Sequence, residues 1–70
     1  MSAYIVLDTE VLSRDDATVE VRWLKLEDGG WVVERLPASG QDEYYDSPKF
    51  SLAQTTYWAI IGEMYCEGWR

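Results

Sequence analysis

The sequence predicts an α+β fold, a three-stranded antiparallel β-meander covered on one face by a single C-terminal amphipathic helix, with a short fourth strand offered near Tyr44. Three observations carry this expectation. The first half holds three runs rich in β-branched and aromatic residues, turn-forming clusters separate them at short spacing, and the last third changes to helical periodicity.

Ala3 to Leu12 makes the first strand, alternating Ile5, Leu7, Thr9 and Val11 against Tyr4, Val6, Asp8, Glu10 and Leu12. The Ile5 set is the cleaner apolar face and is expected inside. Ser13-Arg14-Asp15-Asp16 then turns the chain, and Thr18 to Glu27 returns as the second strand. Asp28-Gly29-Gly30 supplies residues that tolerate positive φ, after which Trp31 to Leu36 forms the third strand and Pro37 ends it.

The second hairpin decides which side chains share a face. A two- or four-residue turn puts Leu24, Leu26, Trp31 and Val33 together and leaves Val19, Val21, Trp23, Val32 and Leu36 opposite, interrupted by Lys25 and Glu34, which can pair. A three-residue turn scrambles that assignment. Both faces are apolar, yet one helix covers only one of them. The second must expose an apolar patch, meet a second copy in a homodimer, or be covered by a loop, unless a bulge near Trp23 reverses the alternation.

Ala38 to Lys49 connects sheet to helix through Ser39-Gly40 and a polar run in which Tyr44 and Tyr45 suit a short edge strand. The helix is expected from Ser51 to Trp69. Ser51 and Gln54 fit a capping box, Ser47-Pro48 offers a competing start, and Gly68 suits a left-handed stop. At about 100° per residue, Ala53, Tyr57, Ile60, Ile61, Met64 and Tyr65 share one arc with Trp58 at its edge, while Thr55, Thr56, Gly62, Glu63 and Glu67 lie opposite.

Residues 1–70 are expected to form one small domain. At this length a single core is marginal, and four Trp, five Tyr and one Phe offset the small size by burying large areas. Cys66 is the only cysteine and reads as a small apolar filler; no internal disulfide can form. The start MSAYIVLD lacks the basic segment and long apolar run of a signal peptide, and no stretch approaches the roughly 20 apolar residues of a membrane span. These features predict a soluble, cytoplasmic protein with no membrane partner.

Thirteen acids against six bases give a formal charge of −7, which disfavours direct contact with nucleic acid and favours attraction to a basic protein surface. Solubility alone is also served by such a charge. Asp42, Glu43, Tyr44, Tyr45 and Asp46 place three carboxylates and two phenols in five positions, able to pair with lysine or arginine and to stack on guanidinium planes, as a DNA mimic would. Glu63 and Glu67 sit toward the negative end of the helix, where stability does not favour them. Trp31 and Trp58 read as core, whereas Trp23 and Trp69 read as interface anchors.

Catalysis is disfavoured, since there is no His and the lone thiol lacks an activating imidazole. Asp42, Glu43 and Asp46 lack the spacing and glycine of a calcium loop, and Gly29-Gly30 lies in a hairpin rather than opening a helix, so no metal or cofactor is expected. In size and acidity the chain resembles small phage-encoded inhibitors of host defence, including anti-CRISPR proteins; the resemblance is of profile and rests on no motif. The function expected is therefore a non-enzymatic inhibitor that occupies the basic surface of a nucleic-acid-handling enzyme or complex. The alternative is a structural or assembly subunit that oligomerises through the second apolar face of the sheet.

Overall fold

A computed structural model describes residues 3–38 and 40–70. Ser39 of the expected connection and the first two residues of MSAYIVLD lie outside the described residues. The chain order is β1 (Tyr4–Arg14), β2 (Ala17–Leu26), β3 (Trp31–Pro37), β4 (Glu43–Ser47) and α1 (Phe50–Cys66). The four strands pair antiparallel in the order β1-β2-β3-β4, and the helix packs on one face, so the fold is α+β. The fourth strand offered by Tyr44 and Tyr45 forms in full. No helix among the described residues is long and apolar enough to cross a membrane.

A three-residue turn exchanges the faces of β2 relative to β3 and so scrambles the assignment made for a two- or four-residue turn. Leu26 N–H donates to Gly30 O at 2.8 Å and Gly29 N–H to Leu26 O at 3.1 Å, so the loop between β2 and β3 is the three-residue Glu27-Asp28-Gly29 with Gly29 at φ 95°. Trp23 consequently pairs with Val33, Leu24 with Val32, and Lys25 with Trp31. Val19, Val21, Trp23 and Val33 face the helix, while Leu24 and Val32 belong to the other face. Glu34 pairs across the strands with Arg22, at 2.6 Å, in place of Lys25.

A bulge in β1 splits the Ile5 set. Val6 pairs with Leu24 and Asp8 with Trp23, which leaves Leu7 without a partner and changes the alternation from there on. Leu12, Glu10 and Asp8 take the helix side, and Thr9 and Val11 the open side. Ile5 shares the helix side but is 63% exposed, because α1 lies across β2, β3 and β4 and leaves the start of β1 uncovered. The predicted interior face of β1 is therefore corrected: its core residue is Leu12.

The helix buries Ala53, Tyr57, Ile61 and Met64, with Ile60 packed against the same core. Tyr65 and Trp58, expected inside, are exposed, Trp58 at 49%. The capping box is absent. Phe50 stacks near Trp23, with ring centroids 4.9 Å apart, and the helix starts there with Lys49 as N-cap and no capping side chain. Ser51 thus sits inside the first turn, where its carbonyl accepts from Thr55 Oγ1 at 2.9 Å. At the other end Gly68 adopts φ 97°, Gly68 N–H donates to Tyr65 O and Trp69 N–H to Met64 O, the two bonds of a Schellman stop. The stop folds Trp69 back onto Met64 in the core cluster.

Candidate functional site

Strand alternation sorts the Asp42–Asp46 segment, which loop geometry would have left mixed. Tyr44 pairs with Glu34 and Asp46 with Val32, so Tyr44, Asp46 and the adjacent Asp42 share the face turned away from the helix. Glu43 and Tyr45 turn to the helix side. There Glu43 is held by Arg35 at 3.5 Å and accepts from the Tyr45 hydroxyl at 3.4 Å.

The open face is built in rows across the strands. One row runs Val6, Leu24, Val32 and Asp46; the next runs Thr9, Arg22, Glu34 and Tyr44; Glu20 and Leu36 pair in the row beyond. Leu24 and Val32 are buried between their neighbours even though no helix covers them, and Tyr4 and Val6 stay exposed beside them. An apolar centre is thus rimmed by Glu20, Asp42 and Asp46. The one guanidinium within the rim, Arg22, is engaged by Glu34 through Nε at 2.9 Å.

Tyr44 is the flat, solvent-facing element of this surface. Its hydroxyl donates to Asp42 Oδ2 at 3.3 Å, and the Asp42 charge, followed by loss of hydration and that hydrogen bond, pushes its pKa above the ordinary tyrosine value. The phenol therefore stays protonated and can donate as well as stack. Asp42 and Asp46 are four residues apart, about 14 Å along an extended chain, so they flank the ring of Tyr44 midway between them. Such a row can meet lysine or arginine side chains at several points at once.

The remaining predicted contact residues divide into two groups. Glu63 and Glu67 are exposed on the helix, away from the open face. Trp23 and Trp69 are 6% and 7% exposed and belong to the core, which corrects their expected place as surface anchors. Trp23 is enclosed by Phe50 and Tyr57, and Trp69 is drawn inward by the helix stop and covered by Arg14, whose guanidinium lies 4.9 Å from its ring. Arg14 was not visible as a partner in the sequence. It also donates to Glu67 O at 3.0 Å, supplying positive charge at the negative end of the helix. Cys66, read as an apolar filler, is exposed.

Residues that the sequence did not single out are Asp8 and Glu10. Both are half-buried on the helix side of β1, and neither has a cationic partner among the described residues. Spacing along a strand that the sequence already showed could have paired them, but the bulge that turns them toward α1 could not be foreseen. No protein-family model matches the chain, and no curated protein or solved structure does either.

Proposed function

We propose that the protein is a non-enzymatic binding module that occupies a basic surface of a nucleic-acid-handling protein and inhibits it by standing in for the nucleic acid. The observation that carries this reading is the open sheet face, where Tyr44 lies between Asp42 and Asp46 beside an apolar centre and the nearby Arg22 is already engaged by Glu34. Carboxylates spaced along a rigid strand offer fixed acceptors to cationic side chains, and a rigid array loses less entropy on binding than a loop would. The formal charge of −7 adds long-range attraction to the same partner.

The test starts by capturing partners from a host lysate and then compares association rates of the original protein, Asp42→Asn with Asp46→Asn, and Glu43→Gln. The double variant should associate several-fold more slowly at low salt, with the difference closing as salt rises. Glu43→Gln, on the helix side, should change the rate less. Equal rates for all three at low salt would rule the open face out as the contact. A second reading, self-assembly through the open face, draws on the exposed Tyr4 and Val6 beside Leu24. A salt-insensitive oligomer in solution mass measurements would favour that reading.

A further inference from the structure

We propose that the free edge of β1 is a docking strand for an extended segment of a partner protein in which basic and apolar residues alternate. This goes beyond the open face to a second surface and borrows from the proposed function only the basic character of the partner. β1 is the outermost strand of the sheet, and its first four residues, Tyr4, Ile5, Val6 and Leu7, are all exposed. Edge strands are normally blunted by lysine, proline, a bulge, inward-pointing charge or a covering element. Here the tract Tyr4 to Leu12 contains neither lysine nor proline; its bulge at Leu7 and its inward Asp8 and Glu10 guard it against acidic strands, this chain's own included, and leave it open to a basic one.

The chain itself shows how this edge pairs. Ser13 N–H donates to Arg70 O at 2.9 Å and Arg70 N–H donates to Ser13 O at 2.9 Å, a reciprocal antiparallel pair on the side of β1 away from β2. Outward peptide groups recur every second residue, so those of Val11 and Thr9 point the same way. Among the described residues the Thr9 N–H is met only by the neighbouring Asp8 carboxylate, at 2.9 Å. An incoming strand continues the ladder that Arg70 begins.

Charge selects what that strand carries. Asp8 and Glu10 project from β1 on its helix side, half-buried and without a cation among the described residues. Beside them the Tyr57 hydroxyl, on a fully buried residue, makes no hydrogen bond of good geometry among the described residues and is close enough to both carboxylates for their charge to raise its pKa. Basic side chains of a paired strand reach Asp8 and Glu10 on this side, and its alternate residues cover Val11 and Val6 on the other. A second copy fits poorly. Two β1 strands meeting at Thr9 would set Asp8 of one against Glu10 of the other, and each chain brings a charge of −7.

The test uses two octapeptides of the same composition, one alternating Arg and Val and one with these residues sorted into two blocks. Amide hydrogen exchange is followed by NMR on the whole protein. The alternating peptide should slow exchange at Thr9 and Val11 by about tenfold or more, and the block peptide much less. Asp8→Asn combined with Glu10→Gln should weaken binding of the alternating peptide by about tenfold at low salt. Val11→Pro removes one outward N–H and should abolish the protection at Thr9; if this variant does not fold, the carboxylate variant decides. Equal protection by the block peptide, or protection confined to Glu43–Ser47, would overturn the proposal while leaving the open-face reading intact. Protection at Thr9 and Val11 that grows with protein concentration, without peptide, would replace the partner segment with a second copy.

Discussion

Tyr57 concentrates the cost of covering this sheet with one short helix. Its ring fills the centre of the core, 5.8 Å from Trp23, but its hydroxyl and the Trp23 Nε1 are buried without a hydrogen bond of good geometry among the described residues. An unsatisfied buried hydroxyl costs about 1–3 kcal/mol, so Tyr57→Phe should be neutral or up to about 1 kcal/mol more stable in urea unfolding. Burial, reinforced by Asp8 and Glu10, pushes the Tyr57 pKa well above the ordinary value of 10.0. In the unfolded chain the phenol ionises first, so this residue's contribution is fully present below pH 10 and is lost as pH rises from there toward the folded value. Unfolding measured between neutral pH and pH 11 should therefore fall less steeply for Tyr57→Phe. Ile61 presents the opposite case, a purely apolar side chain at the same interface. Ile61→Ala should cost about 2–5 kcal/mol through lost burial and a residual cavity, read as a lower urea midpoint.

The C-terminal end of α1 does more than stop a helix. Gly68 at φ 97° turns the chain so that Trp69 returns to the core and Arg70 reaches the edge of β1. Gly68→Ala meets no close obstacle, since an added Cβ would lie 3.6 Å from Arg14 Cδ, so its penalty comes from the backbone. A left-handed conformation costs a residue with a Cβ roughly 1–2 kcal/mol, and that loss should appear in unfolding. Hydrogen exchange should speed up first at Trp69 and Arg70, whose N–H groups are bonded only while the stop is formed. Uniform destabilisation, with no early loss at these amides, would mean that the stop is not an independent local unit. The Leu7 bulge has comparable reach at the other end of the sheet, because one unpaired residue exchanges the faces of Thr9 and Val11 with those of Asp8 and Glu10.

Across the whole molecule, charge is unbalanced in number and in pairing. The described residues contain two ion pairs, Arg22–Glu34 and Arg35–Glu43, against thirteen acids in the sequence. Most carboxylates therefore repel one another on a small body. Screening should relieve this, as the Debye length falls from about 30 Å at 0.01 M salt to about 8 Å at 0.15 M. Thermal unfolding should rise by about 4 °C or more over that range, equivalent to roughly 1 kcal/mol for a domain of this size. A melting temperature that does not move would show that the acids are spaced too widely to matter for folding and leave binding as their main consequence.

The sequence by itself determined the class of the fold, because local periodicity and turn chemistry report directly on strands and helices. Alternation located β1, β2 and β3 to within a few residues, the 3.6-residue period put Ala53, Tyr57, Ile61 and Met64 on the buried arc, and Gly68 marked the stop. The acidity of the Asp42–Asp46 segment was equally legible, although its strand form was only one of two readings. Tertiary structure decided the faces. A three-residue loop at Gly29 and one unpaired residue at Leu7 each shift alternation by a single position, and a period of two converts that shift into exchange of inside and outside. Val19, Val21, Trp23 and Leu24 changed sides for that reason. Trp69 moved inward through a helix stop, and Trp58 moved outward because α1 is narrower than the sheet and covers only part of it. Such outcomes depend on pairing between distant residues, which local sequence patterns do not encode.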